Sequence, residues 1–412
     1  MWLPWWLACS RDPEPAPSSA RPDDGDTLVV GFAFDPGSAN PLVLPYTVSH
    51  MVADLVEPGL VRRLDEPEGI VFEPVVARAA AWSDDRRTLT YTLRDDVRWG
   101  DGTPLTSADV AFTWSLIADP AVASNWHGDA AFVDGVDAPD PTTVVFRFRE
   151  ARNPVLQQIV TARGILPAHR LRTVDRATLR GHESVRDPLA SGPWRIASWA
   201  PDDRIVLEPN PAAPADWHPH LDRIVIRILP EYTTRLIELE RGAIDLLGEV
   251  EVPDAARLAA DPKIRLVRTE AQQVHYVGWN LADPRFAAVE VREALAMAID
   301  RDALVRELYT SGDARYARPA VGTISPRYAS YVAPITPLPY DPAAARARIP
   351  PGTRFSLMVA TGTPEILRLA TVLQAAWKAV GVTVDLELVE PTRFSQRART
   401  KEYEAILWSF GA

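Results

Sequence analysis

The segment from residue 355 to residue 389 constrains the fold of this chain more than any other. Residues 355–360 (FSLMVA) form an apolar run typical of a buried strand, and residues 382–389 (VTVDLELV) predict a second strand. Between them, Thr363 and Pro364 begin a helix, and Gly381 ends it. Two strands joined through a helix are normally parallel. The segment therefore predicts an α/β fold that contains a parallel sheet.

Length and charge limit the class of protein. A chain of 412 residues is too long for one ordinary hydrophobic core, so we expect two or more domains. The net charge of -11 argues against nucleic acid as a partner, because phosphate binding needs a basic surface. The apolar fraction of 47% and the charged fraction of 24% are typical of a soluble globular protein.

The first 26 residues have the composition of a signal remnant and a flexible tether. The run MWLPWWLA precedes the single cysteine, Cys9, and the residues after it are rich in Pro, Ser and Asp. An apolar run that ends in small residues before a cysteine resembles the cleavage box of bacterial lipoproteins, in which the cysteine is acylated. Trp6 stands where that box prefers leucine, and no Lys or Arg precedes the run. A disordered tail with a chance cysteine is the alternative.

The most informative local pattern is WGDGTPLTSADVAFTW, at residues 99–114. The Asp-Gly dipeptide at 101–102 predicts a turn. Thr106 can cap a helix, and Asp109, three residues later, can complete a capping box. The following apolar residues recur with helical spacing, which predicts one buried stripe formed by Val110, Trp114 and Ile117.

Catalytic motifs are absent from the sequence. It contains no G-x-S-x-G elbow, no phosphate-binding G-x-x-x-x-G-K, no H-E-x-x-H and no Rossmann glycine pattern, and we expect no cofactor. His218 and His220 are the closest histidine pair, and a metal hydrolase that uses them is the enzyme hypothesis. The alternative is a surface loop bent at Pro219.

Aromatic residues are abundant, with 13 Trp, 10 Tyr and 11 Phe. Most fit core packing, as Trp114 and Trp377 do on apolar helix faces. A second group stands at strand ends or beside glycine: Tyr276, Trp279, Trp408 and Phe410. Aromatic side chains at strand ends between two domains suit a ligand cleft, because they offer large contact area at low entropy cost. Core packing is the alternative for this group too.

Several stretches, in order along the chain, resemble one protein family. LTYTLRDDVRWGDGTPLTSADVAFTW is similar to its signature stretch, and SGPWRIASWAPDDRIVLEPNP to its G-x-G-P-Y strand pair, with Trp194 in place of tyrosine. LIELERGAIDL is similar to its L-x-x-G-x-I-D helix end. YVGWNLADPRFAAVEVREALAMAIDRDALV resembles its block from an asparagine strand to A-I-D-R. The chain thus resembles the bacterial extracellular solute-binding proteins of family 5, the peptide- and nickel-type receptors of ABC importers.

The resemblance implies an α/β fold of the two-lobed, periplasmic-binding-protein-like type (class II, peptide-binding). Residues 1–26 would be the signal or lipobox remnant and tether. Residues 27–268 would form lobe I, with an inserted β-rich subdomain at about 61–189, and residues 269–412 would form an incomplete lobe II.

The function implied by the resemblance is that of an extracytoplasmic receptor. It would bind oligopeptides or dipeptides in an interlobe cleft, without catalysis, and deliver them to ABC permease subunits served by a cytoplasmic ATPase. Closure of the lobes would bury the ligand. Family members also bind nickel chelates, haem, opines and sugars, so a non-peptide solute stays open. We expect a monomer held by a lipid on Cys9, in the periplasm or on the outer face of the cell membrane.

The resemblance also implies site residues by position. In lobe I, the loop from Phe34 to Asn40 would face the ligand. In the second lobe, the cleft would be lined by the asparagine strand and by the end of the last strand, here Tyr276, Trp279, Asn280, Trp408, Phe410 and Gly411. A strand-end cap is the alternative role of Asn280.

The end of the chain bears on this expectation. Family members extend for roughly a hundred residues beyond the position of Ala412, by the family's usual domain plan. In peptide-binding members, the aspartate that pairs with the ligand's α-ammonium group follows that position directly. The resemblance therefore implies a truncated chain, and a truncated product without a transport role is the second functional hypothesis.

Overall fold

The structure is a computed structural model, and it describes residues 26–43, 47–66, 69–267, 273–310, 317–320, 322 and 336–411. Cys9 and Ala412 lie outside the described residues. The chain divides into two compact units. Unit 1 contains the described residues up to Arg63, with Phe72–Ile228 and Ile244–Leu246; unit 2 contains Leu64–Val71, Leu229–Ala243 and the chain from Leu247 onward.

Strands and helices alternate along much of the described chain. The strands are β1 (Thr27–Phe32), β2 (Val61–Glu66), β3 (Gly69–Pro74), β4 (Ala77–Trp82), β5 (Thr88–Leu93), β6 (Val133–Asp140), β7 (Thr143–Phe148), β8 (Trp194–Ala200), β9 (Arg204–Pro209), β10 (Arg223–Ile228), β11 (Leu246–Leu247), β12 (Gln273–Trp279), β13 (Arg354–Ala360), β14 (Thr383–Val389) and β15 (Ala405–Gly411). The helices are α1 (Thr47–Val56), α2 (Ser107–Ala118), α3 (Pro154–Thr161), α4 (Ala168–Leu171), α5 (Tyr232–Glu240), α6 (Val252–Ala259), α7 (Pro284–Ala287), α8 (Val289–Met297), α9 (Arg301–Leu308), α10 (Pro342–Arg348), α11 (Pro364–Ala379) and α12 (Pro391–Thr400). Short 3-10 turns occur at Pro120–Val122, His127–Ala131, Arg176–Gly181, Glu183–Val185 and Ala215–Trp217.

One sheet of unit 1 has the strand order β11-β1-β10-β9-β8. β1 runs parallel to β10, whereas β9 runs antiparallel to both β10 and β8. The Pro-Asp-Asp sequence at residues 201–203 predicts a turn, and these residues form the turn of the β8–β9 hairpin, in which Asp202 adopts a left-handed φ of 57°. Apolar residues of these strands pack with α1 to form a core that includes Val30, Phe32, Val52, Ile205, Leu207 and Ile226.

The other large sheet of unit 1 has the order β4-β5-β7-β6 and packs against α2. The predicted capping interaction is present, since the Thr106 N–H donates to Asp109 Oδ2 over 2.8 Å. Asp109 Oδ1 accepts a second hydrogen bond, over 2.9 Å, from the Ala168 N–H at the start of α4. The predicted apolar stripe of α2 is buried. The signature aspartate therefore joins two helix starts and has a structural role.

The sheet of unit 2 has the order β12-β15-β13-β14. β13 pairs in parallel with β14 through α11, so the βαβ unit predicted from the sequence is confirmed. β15 is also parallel to β13, and β12 runs antiparallel to β15. Trp377 of α11 is fully buried and donates its indole N–H to the Leu295 carbonyl over 2.9 Å. This bond ties α11 to α8.

One sequence prediction differs from the structure. The sequence KIRLVRT, at residues 263–269, predicts a strand, but residues 263–267 form none, and 268–269 lie outside the described residues. The first two residues of the segment instead close a turn on Asp261, whose side chain accepts from the Lys263 N–H (2.9 Å) and whose carbonyl accepts from the Ile264 N–H (3.0 Å).

The described chain from Leu247 onward belongs to unit 2. Two contacts join its first part to other segments of that unit. Glu251, before α6, pairs with Arg368 of α11 at 2.9 Å. The Tyr232 hydroxyl donates to Asp254 Oδ2 of α6 over 2.9 Å.

No helix within the described ranges is long and apolar enough to cross a membrane.

Candidate ligand-binding site

The pairing of β12 with β15 determines which of the candidate residues meet. Tyr276 lies opposite Trp408, and Val274 lies opposite Phe410. Because successive side chains of a strand point to opposite faces, Tyr276 and Trp408 share one face of the sheet. Gly411 pairs with Gln273 at the end of the ladder. The side chain of Phe410 lies outside the described residues, so only its backbone register is defined.

The face that carries Tyr276 and Trp408 is partly open. Tyr276 is 37% exposed, and Trp408 is half-buried. Trp408 makes an edge-to-face contact with Phe394 of α12, with ring centroids 5.5 Å apart. Partial burial raises the pKa of the Tyr276 hydroxyl. This aromatic face, defined by Tyr276 and Trp408, combines apolar ring area with a polar hydroxyl, as many ligand sites do.

Gly278 shapes the aromatic face. A Cβ atom at this position would lie 2.9 Å from Ile406 Cγ2 and 3.5 Å from Tyr276 Cε2. A side chain there would therefore displace Ile406 or the ring of Tyr276. The absence of a side chain lets the tyrosine ring lie close to its own strand.

Trp279 lies on the opposite face of β12 from Tyr276. Its ring packs among three core aromatics, with centroid distances of 4.8 Å to Phe286, 5.4 Å to Phe355 and 5.9 Å to Trp377. The structure thus separates Trp279 from the aromatic face and gives it a packing role, which was the alternative for this group. A ligand contact by Trp279 stays a prediction.

Asn280 joins the end of β12 to the segment before β15. Its side-chain amide donates to the carbonyls of Tyr403 (3.0 Å) and Lys401 (3.3 Å). Its Oδ1 accepts from the Ala282 N–H over 3.1 Å, and its own N–H donates to the Glu404 carbonyl over 3.0 Å. These four contacts are those of a strand-end cap, the alternative role considered for this residue. A ligand contact by Asn280 stays a prediction as well.

The loop between β1 and α1 holds the candidate residues of unit 1. Phe34 is 42% exposed, whereas Asn40 is fully buried. Asn40 Oδ1 accepts from the Leu42 N–H over 3.0 Å, and its amide nitrogen has no hydrogen-bond partner among the described residues. Phe34 therefore presents surface to solvent, while Asn40 supports the loop from inside.

A polar cluster that the sequence did not predict lies beside β12. His275 Nε2 is 3.4 Å from Glu365 Oε1, in the first turn of α11, and the imidazole stacks on Tyr309 with centroids 5.5 Å apart. The neighbouring imidazole lowers the pKa of Glu365. Only the pairing of distant segments brings these residues together. An acidic residue directly after the helix-starting proline was the one local sign of the cluster.

His218, one of the two histidines considered for metal binding, contacts a backbone carbonyl. His218 Nε2 is 3.1 Å from the Ala213 carbonyl, across the short turn Ala215–Trp217. Across the ranges that the structure describes, no three or more His, Cys, Asp or Glu side chains are grouped for a metal ion.

Comparison with known proteins gives distant relatives over most of the chain. A Brucella ovis protein with the provisional name ABC transporter peptide-binding protein is 26% identical over 404 residues, which cover 92% of this chain and 73% of the relative. The glutathione-binding protein GsiB of Shigella boydii is 29% identical over 322 residues, which cover 77% of this chain and 59% of that protein.

Solved structures share the fold at low sequence identity. The oligopeptide-binding protein AppA of Bacillus subtilis, in complex with a nonapeptide, has a TM-score of 0.84 and 22% identity, with 95% of this chain and 80% of AppA covered. NikZ of Campylobacter jejuni, in complex with Ni(L-His), has a TM-score of 0.81 and 20% identity, with 95% of this chain and 78% of NikZ covered. The predicted α/β, two-lobed periplasmic-binding-protein-like fold class is thereby confirmed.

The family of this chain is shown by a match over most of its length. The family described as "Bacterial extracellular solute-binding proteins, family 5 Middle" matches residues 71–412. That range includes the signature stretch at 89–114, the hairpin of β8 and β9, and the asparagine strand. The chain therefore belongs to the bacterial extracellular solute-binding proteins of family 5.

Proposed function

We propose that this protein is the extracytoplasmic substrate-binding receptor of an ABC importer and that its ligand is an oligopeptide or dipeptide. The family match over residues 71–412 carries the proposal. It is supported by relatives whose names specify peptide or glutathione binding. The protein would bind and release its ligand unchanged and would hand it to the permease subunits.

The aromatic face supports a role in ligand contact. Tyr276 and Trp408 offer ring surface, and β12 lies at the edge of its sheet in the described chain. An edge strand has backbone groups that can pair with an extended peptide, and nearby rings can accept its side chains. We propose that Tyr276, Trp408 and Phe34 contact the ligand directly, and that Asn40, Trp279, Asn280, Phe410 and Gly411 complete the surroundings.

The remaining parts of the proposal concern architecture and location. Lobe I would comprise residues 27–268, with the insert at about 61–189, and lobe II would begin at 269; the ligand would lie between them. The two compact units support a two-lobe division. Cys9 would carry a lipid, and residues 10–26 would tether a monomeric receptor to the outer face of the membrane.

A non-peptide solute is the second candidate. Structures with the same fold contain Ni(L-His) in NikZ and mannopinic acid in MoaA of Agrobacterium tumefaciens. The fold therefore accommodates chelates and opines as well as peptides, and it does not select among them.

A thermal-shift screen separates these candidates. The purified protein is heated with di- to penta-alanine, with the Ni(L-His) complex and with mannopinic acid. A ligand present at a hundred times its Kd adds about 2.7 kcal/mol to the free energy of unfolding. We expect stabilisation by at least one alanine peptide.

The variants Tyr276→Ala and Trp408→Ala should reduce that stabilisation. Tyr340→Ala, which removes another exposed tyrosine (54%), is the matched control and should not. Stabilisation by the chelate or the opine alone would support the second candidate, and stabilisation by none of the probes would contradict the receptor hypothesis.

A further inference from the structure

One acidic side chain, Asp35, helps to hold the loop between β1 and α1 in place. Neither the family match nor the names of the relatives assign a role to this residue. Asp35 lies between Phe34 and Asn40, the two candidate ligand residues of unit 1. Both of its carboxylate oxygens accept hydrogen bonds from donors of the protein itself.

Asp35 accepts three hydrogen bonds from two directions. Its Oδ1 accepts from the Gly37 N–H over 2.7 Å, which closes a turn within the loop, where Gly37 has a left-handed φ of 73°. Its Oδ2 accepts from the Trp199 indole N–H over 2.9 Å and from the Asp202 N–H over 3.0 Å. One carboxylate therefore joins the loop to the turn of the β8–β9 hairpin.

Further contacts hold the same loop at other points. The Pro36 carbonyl accepts from the buried Ser49 hydroxyl of α1 over 2.6 Å. The Ala39 N–H donates to the Val185 carbonyl over 2.7 Å. The guanidinium of Arg186 lies 5.8 Å from the centre of the Trp199 ring. The loop is thus tied to a helix, to a hairpin and to the 3-10 turn Glu183–Val185.

We propose that Asp35 is a positioning residue for ligand binding, and this inference rests on the proposed receptor function. It acts through Gly37, Trp199 and Asp202, and it holds the Phe34 side of the loop in its binding conformation before the ligand arrives. A loop that is already ordered loses less conformational entropy on binding. The carboxylate therefore raises affinity without touching the ligand.

Two measurements test this role in the intact protein. The first is amide hydrogen exchange of residues 37–40 without ligand. Asp35→Ala should increase exchange there by about tenfold or more, because local opening no longer breaks the three bonds. The exchange of β13 and β14, in the other unit, should not change. Asp84→Ala, at an exposed aspartate of the same unit, is the matched control.

The second measurement is the Kd of the tightest-binding peptide among di- to penta-alanine. Asp35→Ala should raise the Kd by about threefold to tenfold. Asp35→Asn keeps one acceptor oxygen and should give an intermediate value. In a Trp199→Phe background, which lacks the indole donor, the effect of Asp35→Ala should be smaller, because both changes remove the same contact.

The outcomes distinguish this inference from the proposed function. An unchanged loop exchange or an unchanged Kd in Asp35→Ala overturns the positioning role. So does an increase in exchange that spreads over all of unit 1, since that indicates general destabilisation. If the unaltered protein binds none of the peptides, the peptide-receptor proposal fails, and the loop exchange alone then decides whether Asp35 orders this loop.

Discussion

Tyr276 of β12 lies directly opposite Trp408 of β15 in the antiparallel ladder of unit 2. The two residues therefore share one face of the sheet, while their neighbours in sequence, Val277 and Leu407, pack into the core on the other face. This relationship gives the aromatic face its composition. It also limits which of the candidate residues can reach a common ligand.

Gly278 should be intolerant of substitution. In Gly278→Ala the new methyl group meets Ile406 at 2.9 Å, so the strand or the ring of Tyr276 must shift. We expect the free energy of unfolding to fall by about 1–3 kcal/mol. Urea unfolding measures this change. Gly248→Ala, whose Cβ would meet no atom within 4 Å, is the matched control, and an equal effect in both variants would contradict the steric explanation.

Glu57 should make unit 1 less stable at higher pH. The side chain is fully buried, with Oε2 unpartnered among the described residues, and burial raises its pKa well above the ordinary 4.5. The folded protein then keeps a proton that the unfolded chain has lost. The free energy of unfolding therefore falls as pH rises above 4.5, by about 1 kcal/mol per pH unit, until the folded-state pKa is reached.

The variant Glu57→Gln removes this titration while it preserves the size of the side chain. Denaturant unfolding between pH 4 and pH 8 gives the free energy of unfolding at each pH. This free energy should change less with pH in the variant, and near pH 8 the variant should be more stable than the unaltered protein. Asp84→Asn, at an exposed site of the same unit, should leave the profile unchanged. If the free energy of unfolding of Glu57→Gln changed with pH as much as that of the unaltered protein, Glu57 would not be the group responsible.

Glu365 should have the opposite pH dependence. Its pKa is lowered by the imidazole of His275, 3.4 Å away, and further by the charge of Arg368. A carboxylate with a lowered pKa stabilises the folded state above its ordinary pKa, and this contribution is lost as pH falls through the folded-state value. Glu365→Gln should therefore lower the free energy of unfolding at pH 7 and change it little below pH 4.

The expected loss in Glu365→Gln is about 1 kcal/mol, because a third of the side chain remains exposed and solvent screening weakens the interaction. Unfolding curves at pH 7 and below pH 4 provide the comparison. Glu307→Gln, on the exposed side of α9, serves as the control. A loss of the same size at both pH values would show that packing rather than charge is responsible.

Substitution of Asn280 should lower the stability of the fold more than it weakens ligand binding. Asn280→Ala removes the bonds to the carbonyls of Tyr403 and Lys401 and should lower the free energy of unfolding by about 1–3 kcal/mol. Chemical unfolding and peptide titration on the same sample separate the two effects. Leu281→Ala, at an exposed neighbour (59%), is the control. A large loss of affinity with unchanged stability would instead make Asn280 a ligand contact.

Local patterns predicted much of this fold. Pro364 begins α11 and Gly381 follows its end because each has a strong conformational preference. Asp109 completes the capping box of α2 because the spacing of that motif is fixed. The register between strands is different, since it depends on residues far apart in the chain. The sequence therefore grouped Trp279 with Tyr276, although the pairing of β12 places them on opposite faces.

The supporting contacts were harder still to predict. Asp35 meets Trp199 only because the β1 loop and the β8–β9 turn converge. His275 meets Glu365 only because β12 lies beside the start of α11. No periodicity or motif encodes such pairs, whose members are far apart in sequence.

Calorimetric titration with di- to penta-alanine tests directly whether this protein is a peptide receptor. We expect saturable binding of at least one peptide with a stoichiometry of one. We also expect about tenfold weaker binding in Trp408→Ala, because truncation of an aromatic residue that anchors a ligand costs about 1 kcal/mol or more. The receptor proposal is wrong if no peptide binds, and the role of Trp408 is wrong if Trp408→Ala and the Tyr340→Ala control bind equally well.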